Sequence, residues 1–356
     1  MKRKVTWKET SVDWTEKTNA MLPKLTHKEL LKLTKARCIP PLLPRFYKGQ
    51  AGGRVCIIGG CEDYTGAPYF SANATALMGC DLTHVICDKG AATVIKSYSP
   101  NLMVHPYLRP TSSSSFNEYF EKIKGLLQRI HVVVIGPGLG RDQEMLVSVK
   151  RIIKFILEEH KGMVPIVIDA DGLYLVSQDE ETRDLLKQFP KGRIILTPNV
   201  VEFKRIHDVL KKDGPNDEET TGSVIAKRLN CIVVQKGRED QIFTPDSNSV
   251  ILSNNCEGSF KRVGGQGDTL SGTIACMLAF SRTRYDFKVC TPEEEEKLGH
   301  QDVKMEWLDY VALSCYAGCS VTRECARLAF KETGRAMQTT DLNDRVGQVF
   351  AKLFPL

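Results

Sequence analysis

The sequence predicts an α/β fold, a three-layer α/β/α sandwich around a mostly parallel central sheet. Six short apolar runs, rich in β-branched residues, are each followed by a turn cluster containing Gly, Pro, Asp or Asn. Such runs are typical of strands that are buried on both faces, and the helical stretches between them imply parallel neighbours. The predicted strands are residues 55–58, 84–87, 132–135, 166–168, 194–196 and 231–234.

The chain length predicts how these elements are organised. With 356 residues and a 42% hydrophobic content, the chain can form one large α/β domain. We expect residues 23–356 to form that single domain and residues 1–22 to be a loosely ordered extension. The first helix is expected at residues 28–36, because Thr26 and Glu29 have the spacing of a capping box.

Charge and composition exclude several function classes. The chain has 49 basic and 43 acidic side chains, and this net charge of +6 is too small and scattered for a nucleic-acid-binding protein. The excess suits an anionic small molecule, and no apolar run approaches the roughly 20 residues that span a membrane. The 12 cysteines form no C-x-x-C pair, which favours free thiols in a reducing compartment and hence a cytoplasmic protein.

Three further segments are expected to lie at the surface. The basic N-terminus lacks the apolar core of a signal peptide and carries acidic residues that a transit peptide avoids. Residues 213–222 have turn and acidic composition. Residues 285–302 include four consecutive glutamates, 293–296, which predict a solvated face or loop.

The most informative segment is residues 258–272, a glycine-rich stretch directly before an apolar helical sequence. Glycines before a helix let backbone amides face an anion, and the helix dipole adds to the attraction. Asp268 is expected at this helix start, where its ionised form is favoured, and it can accept a proton from a hydroxyl that attacks a γ-phosphate. The alternative is an ordinary N-terminal capping carboxylate.

Two other strand ends carry polar clusters. Lys236 follows the strand at 231–234 and can contact a nucleotide phosphate, unless residues 236–240 are simply a hairpin turn. Asn199 and Glu202 open a predicted helix, where they can orient the water shell of Mg²⁺, cap the helix, or do both.

Three remaining turns predict a ligand cleft less strongly. Residues 136–142 match a dinucleotide-binding turn only loosely, and the paired glycines within residues 59–68 allow a close approach to a ligand. Asp169 and Asp171 end another strand and are either site-lining or turn acids.

In this order, these segments resemble the ATP-dependent NAD(P)H-hydrate dehydratase family, a branch of the ribokinase-like fold. The resemblance covers nearly the whole chain, and its Gly-Gly-Gln-Gly-Asp form resembles the eukaryotic branch, which uses ATP. The segments that carry it are residues 48–52, 59–68, 136–142, 169–172, 196–203, 236–240 and 264–272.

The resemblance implies a repair reaction on hydrated nicotinamide nucleotides. The enzyme would use ATP, with Mg²⁺, to phosphorylate the ring hydroxyl of the S form of NADH-hydrate and NADPH-hydrate. Phosphate would then leave, so that the products are NADH or NADPH, ADP and phosphate. Coupling to a separate NAD(P)H-hydrate epimerase is implied, and a homo-oligomer is compatible with the sequence.

The resemblance also implies the roles of individual residues. Asp268 would be the general base, and the amides of Gly265 and Gly267 would hold the phosphoryl charge. Glu202 would bind Mg²⁺ through water. The expected ATP-binding residues are Lys236, Gly237, Arg238, Glu239, Asp240, Gly258, Ser259, Phe260, Lys261, Arg262, Val263, Gly264, Gly265, Gln266 and Gly267. The expected hydrate-binding residues are Gly138, Asn199, Val200, Val201, Glu202, Phe203, Lys204, Arg205 and Asp268.

Two other functions use the same residues. A ribokinase-like kinase of a vitamin precursor or a sugar would share the Asn199–Glu202 pair and Asp268, and it would release a stable phosphorylated product. A non-catalytic nucleotide sensor would need the sheet and the glycines, but it would not need Asp268, Lys236 and Glu202 together.

Overall fold

A computed structural model describes residues 21–212, 222–299 and 303–356, with one nine-stranded sheet at its centre. The strands are β1 (Arg54–Ile58), β2 (Leu82–Asp88), β3 (Met103–Leu108), β4 (Val132–Ile135), β5 (Ile166–Ile168), β6 (Ile194–Leu196), β7 (Ile232–Gln235), β8 (Asp240–Phe243) and β9 (Leu252–Asn254).

The sheet is mostly parallel, as the sequence predicts. The strand order is β3-β2-β1-β4-β5-β6-β7-β8-β9, and among the described strands only the β7–β8 and β8–β9 pairs are antiparallel. Strand β1 pairs with β2 on one side and β4 on the other, so that Val55 faces both Thr83 and Val132. The strand order changes direction between β1 and β4. Sheets of this kind bind ligands beyond the carboxyl ends of their strands.

Helices connect the strands and cover both faces of the sheet. They are α1 (His27–Cys38), α2 (Gly66–Leu77), α3 (Lys89–Tyr98), α4 (Phe116–Leu127), α5 (Gln143–Glu159), α6 (Asp171–Gln178), α7 (Glu180–Lys187), α8 (Val200–Lys212), α9 (Gly222–Arg228), α10 (Gln266–Tyr285), α11 (Pro292–Leu298), α12 (Trp307–Thr333), α13 (Thr339–Asn343) and α14 (Val346–Leu353). Short 3₁₀ helices lie at Leu22–Lys24 and Gly334–Ala336.

The core is divided into two hydrophobic clusters, one on each face of the sheet. Val55 and Ile57 of β1 belong to the first cluster, whereas Cys56 and Ile58 belong to the second. Because successive strand side chains point to opposite faces, one short apolar run supplies both layers. This arrangement confirms the predicted three-layer architecture, and it explains why the central strands have no polar side.

Two sequence-based expectations about the ends of elements can be compared with the structure. The capping box forms, because the Thr26 side chain accepts from the Glu29 amide and the Glu29 side chain accepts from the Thr26 amide. The expected N-terminal extension reached residue 22, but Met21 and Leu22 are buried in the first cluster and belong to the packed structure. Residues 1–20 lie outside the described residues.

The expected acidic segment contains helix α11, none of whose residues is buried, so the run of glutamates forms a solvated face rather than a loop. Thr291 and Glu294 form a capping box at its start. Glu294 pairs with Arg45, and Glu295 accepts a 2.5 Å hydrogen bond from Arg284. The acidic run therefore pairs with one arginine that is 249 residues away in sequence and with another that is 11 residues away. Residues 213–221 and 300–302 of the two expected insertions lie outside the described residues.

The cysteines are free thiols, as expected, and all except Cys61 and Cys256 are buried. Within the three described ranges, no helix is both long enough and apolar enough to cross a membrane.

Helix α10, which begins next to the expected catalytic segment, packs closely against two other helices. A Cβ atom on Gly272 would lie 2.1 Å from the carbonyl oxygen of Ser71 in α2. A Cβ atom on Gly318 of α12 would lie 2.9 Å from the backbone nitrogen of Ile274. Glycine at these two contacts lets the three backbones approach closely and fixes the position of α10.

Replacing Gly272 with alanine is expected to destabilise the protein. The new methyl group would overlap the backbone of α2, and overpacking of this kind typically costs about 1–3 kcal/mol. The free energy of unfolding, measured by urea denaturation, should fall by this amount. Gly125 is the matched control, because it is an exposed helical glycine whose added Cβ atom would meet nothing within 4 Å. Gly125→Ala should leave stability unchanged or raise it by about 0.5–1 kcal/mol, and equal effects of both substitutions would contradict the packing argument.

Candidate active site

Asp268 lies in the first turn of α10, as the sequence predicts. Gly265, the residue directly before this helix, has a φ of 96°, which favours glycine. A Cβ atom there would also lie 2.8 Å from both Phe70 and Thr339. The amide of Thr269 donates to the Gly265 carbonyl at 3.0 Å, so the helix begins directly after this tight turn.

Three acidic side chains surround the ammonium group of Lys236. Its Nζ atom lies 2.7 Å from Asp169 Oδ1 and 3.8 Å from Glu202 Oε2. A Cβ atom on Gly267 would lie 3.3 Å from the same Nζ atom, so the lysine reaches the start of α10 next to Asp268. Asp169 follows β5, Lys236 follows β7 and Glu202 lies in the first turn of α8. Strands β5, β6 and β7 are parallel neighbours, and α8 follows β6. The ends of these three strands thus bring the charged groups to one edge of the sheet.

Asp169 is the site residue that sequence reasoning left undecided. Its side chain is 2% exposed, and its only charged partner among the described residues is Lys236. The structure therefore places it in the site rather than in a solvated turn. Its position directly after a buried strand was the available signal, but the sequence alone does not reveal which cation lies opposite.

The pKa values of these groups depend on one another. Burial and the Asp169 carboxylate raise the pKa of Asp268 to about 7, although Lys236 opposes this effect. Burial and the Asp169 carboxylate thus oppose the ionised form that the helix start favours. Burial alone would lower the pKa of Lys236, but Asp169 and Glu202 outweigh burial and raise it.

A first cleft of about 620 Å³ opens between the β7–β8 hairpin and the start of α10. Many of the expected ATP-binding residues line it. These lining residues are Lys236, Gly237, Arg238, Asp240, Arg262, Val263, Gln266 and Gly267. Val200 and Val201, whose side chains are about two-thirds exposed, lie at its mouth. The cleft thus combines exposed apolar side chains with the cationic side chains of Lys236, Arg238 and Arg262.

Other expected ATP-binding residues do not line this cleft. Glu239 accepts from the Ser253 hydroxyl at 3.1 Å and lines a smaller adjoining cleft. Lys261 donates to the Met337 carbonyl at 2.7 Å, and the Ser259 hydroxyl donates to the Lys261 carbonyl at 2.5 Å. Phe260 is 89% exposed. Gly258 and Gly264 are also outside the lining of this cleft, while the Gly264 carbonyl accepts from the Thr339 hydroxyl.

Arg323 of α12 is a residue of this cleft that sequence reasoning missed. Its Nε atom donates to Asp240 at 2.6 Å, and its Nη2 atom donates to the Gly237 carbonyl at 3.1 Å. Its Nη1 atom donates to the Cys256 carbonyl at 3.0 Å. One guanidinium group therefore connects the hairpin turn to the segment that precedes the glycine-rich loop. Residues 236–240 also form the hairpin turn between β7 and β8 that the sequence offers as an alternative. The turn nevertheless lets Lys236 reach Asp169 and Glu202.

A second cleft of about 280 Å³ shares Asn199 and Val201 with the first. Four of the expected hydrate-binding residues line it, namely Asn199, Val201, Glu202 and Arg205. Arg141, Ala170 and Asp171 complete the lining. Val200 lines the first cleft instead, Phe203 packs against the core and Lys204 is exposed. Gly138 lies against Tyr64, whose carbonyl oxygen would be 2.7 Å from an added Cβ atom.

Asn199 and Glu202 cap α8, as one of the two sequence-based alternatives predicts. The Asn199 Oδ1 atom accepts from the Glu202 amide at 3.0 Å, and Glu202 Oε2 accepts from the Asn199 amide at 2.8 Å. These reciprocal bonds fix the Glu202 carboxylate between the two clefts. Within the described ranges, no cluster of three or more His, Cys, Asp or Glu side chains forms a metal site.

Comparison with solved structures agrees with this fold. A ribokinase-like superfamily protein from Enterococcus faecalis aligns with a TM-score of 0.64 at 22% identity, over 93% of this chain and 96% of that one. An ADP/ATP-dependent NAD(P)H-hydrate dehydratase from Bacillus subtilis, co-crystallised with ATP/Mg²⁺, aligns with a TM-score of 0.60 at 18% identity. That alignment covers 92% of this chain and 97% of the bacterial one. The chain thus has the ribokinase-like fold.

Comparison with protein sequences identifies the family. Residues 55–347 match the family model described as NAD(P)H-hydrate dehydratase. The ATP-dependent (S)-NAD(P)H-hydrate dehydratase of Saccharomyces cerevisiae is 66% identical over 94% of this chain and its own entire length. The protein of the same name from Schizosaccharomyces pombe is 43% identical over 93% of this chain and 94% of its own. The family model and these relatives show that the chain belongs to the NAD(P)H-hydrate dehydratase family.

Proposed function

We propose that the chain catalyses the ATP-dependent dehydration of the S form of NADH-hydrate and NADPH-hydrate. The observation that carries this proposal is the position of Asp268. It lies at the start of α10, which borders the first cleft, and near Lys236, Asp169 and Glu202, of which Glu202 lines the second cleft. A phosphoryl donor in the first cleft and a hydroxyl substrate in the second would meet at this carboxyl group. Membership of the NAD(P)H-hydrate dehydratase family indicates that the reaction is dehydration of the hydrate.

The first chemical step is phosphoryl transfer to the ring hydroxyl. Asp268 accepts the hydroxyl proton while the oxygen forms a bond to the γ-phosphorus of ATP and ADP leaves. A carboxyl group with a pKa of about 7 is half ionised at neutral pH, so it can accept this proton. In the second step, the C–O bond breaks as phosphate leaves, and the neighbouring ring carbon gives a proton to the departing phosphate while the electrons of that C–H bond form the double bond of the dihydronicotinamide.

The surrounding groups stabilise the charge that moves during transfer. The amides of Gly265 and Gly267 and the dipole of α10 favour the developing phosphoryl charge. Lys236 uses one donor on Asp169, and its remaining protons are available to ATP phosphate oxygens. Arg262 and Arg238, which line the first cleft, add positive charge along the path of the triphosphate.

The residues present fit a magnesium ion that is bound partly through substrate and water. Mg²⁺ usually takes one or two carboxylates together with substrate phosphates and several waters, so a dedicated protein cage is not required. Glu202 offers carboxylate oxygens between the two clefts, with Asp169 close by. When bound, the ion would neutralise charge on the ATP phosphates, and Glu202 would hold its water shell.

The same proposal includes the setting of the reaction. The related fungal enzymes are named for the S form, so we expect a separate NAD(P)H-hydrate epimerase to supply this form from its epimer. Free thiols favour a reducing compartment, which fits the cytoplasm.

The activity can be tested by following absorbance at 340 nm. Purified protein, ATP-Mg²⁺ and an epimer mixture of NADH-hydrate should give an ATP-dependent rise that stops when the S form is consumed. Omission of ATP is the control. A stable phosphorylated product without this rise would contradict the proposal and indicate the kinase alternative.

Asp268→Asn is expected to lower turnover by about 10²- to 10⁴-fold, which is the usual loss when a general base is removed. The amide has nearly the same shape, so ATP affinity, measured by calorimetry, should stay within a few-fold. Asp208→Asn, an exposed acidic control on α8, should keep full activity. A loss of turnover below tenfold for Asp268→Asn would show that another group accepts the proton.

The pH profile should report the raised pKa of Asp268. The base must be deprotonated, so kcat/KM for the hydrate should fall as pH drops below about 7. Asp169→Asn should move this inflection to lower pH, because the Asp169 carboxylate is the largest cause of the raised pKa after burial. Asp171→Asn, which removes a weaker contributor, should move it less. An inflection that stays in place in Asp169→Asn would contradict the proposed coupling.

A further inference from the structure

Two arginines lie over one aromatic ring beside the second cleft. The Cζ atom of Arg141 is 4.5 Å from the ring centroid of Tyr174, and that of Arg205 is 5.6 Å away. Arg141 comes from the turn after β4, Tyr174 from α6 and Arg205 from α8. Three separate elements therefore place two guanidinium groups around one ring, and the cleft that they line also contains the carboxylates of Asp171 and Glu202.

The guanidinium groups keep most of their hydrogen-bonding capacity. Arg141 uses Nε on Asp171 Oδ1 at 3.2 Å, and its side chain is 57% exposed. Within the described ranges, neither Nη atom of Arg141 nor any donor of Arg205 has a hydrogen bond to the protein. Asp171 is itself held in place, because its Oδ2 atom accepts from the Gly140 amide at 3.0 Å. Arg141 is thus oriented by one contact, and its two remaining nitrogens are available to a ligand.

We propose that Arg141, beside the expected hydrate-binding residue Arg205, binds a phosphate group of the dinucleotide substrate, an inference that rests on the proposed function. If the ring hydroxyl reaches Asp268 and ATP fills the first cleft, the rest of the hydrate must extend away from ATP. The second cleft, lined by both arginines, is the adjoining space. The planar fork of a guanidinium group matches phosphate oxygens, and contact with Tyr174 restricts its motion before the ligand arrives.

The substrate offers two phosphate sources of the same chemistry. The pyrophosphate bridge is present in both NADH-hydrate and NADPH-hydrate, whereas the ribose 2′-phosphate is present only in NADPH-hydrate. Binding of the bridge would make the arginines general affinity determinants. Binding of the 2′-phosphate would make them determinants of specificity.

The test is to compare Arg141→Gln with the wild type on both hydrates. We expect KM for the hydrate to rise by about 10- to 100-fold, the usual effect of losing a hydrogen-bonded charged partner. KM for ATP and kcat at saturation should stay within a few-fold. Arg141→Lys, which keeps the charge but loses the fork, should give an intermediate KM. Arg151→Gln is the matched control, because this exposed arginine also lies over an aromatic ring, Phe116, but lines neither cleft.

The possible results separate the two sources and the two proposals. An equal rise in KM for both hydrates supports the pyrophosphate, and a rise only for NADPH-hydrate supports the 2′-phosphate. If Arg141→Gln leaves KM unchanged for both hydrates, or raises KM for ATP instead, this inference is overturned. The proposed function stays intact in that case, because the wild type is active. A wild type without turnover overturns the proposed function, and the inference falls with it.

Discussion

The ion pair between Lys236 and Asp169 is the interaction on which the rest of the site depends. Both side chains are largely removed from water, and an isolated charge in such a place costs several kcal/mol. The pair is tolerated because the two ends of β5 and β7 hold the groups 2.7 Å apart, with Glu202 as a second acid nearby. Without the lysine, three neighbouring carboxyl groups would repel one another and take up protons. The protonation state of Asp268 therefore depends on strands far from it in sequence.

A second constraint keeps Asp268 in reach of that pair. Helix α10 is in contact with α2 through Gly272 and with α12 through Gly318, so little movement along these contacts is available. Helix α12 also carries Arg323, whose guanidinium connects the hairpin turn to the Cys256 carbonyl. Asp268 and the hairpin turn that lines the first cleft are thus attached to the two packed helices α10 and α12. The packing of these helices in the core therefore also determines the geometry of the site.

The sequence predicts the central strands and the polar ends of the strands well, and its errors have physical causes. β4, β5 and β6 are continuous apolar runs, which is the signature of burial on both faces. Strand β3 was not predicted because it is an edge strand that contains His105 and Pro106, and β9 was not predicted because two of its three residues, Ser253 and Asn254, are polar. The Asn199 and Glu202 cap was predictable because its partners are three residues apart. Arg323 was not, since its partner Asp240 is 83 residues away.

The protonation of Asp268 shows most clearly where local reasoning fails. A helix N-terminus favours a nearby carboxylate by about 0.3–1 kcal/mol, and on that basis the sequence predicts an ionised group. The structure raises its pKa from 3.8 to about 7, and a change of this size corresponds to about 4 kcal/mol against the ionised form. Burial and the Asp169 carboxylate therefore outweigh the dipole. An incoming cation or a phosphate group would change the same balance, so the ligands of the two clefts can themselves set when the base is ready to accept a proton.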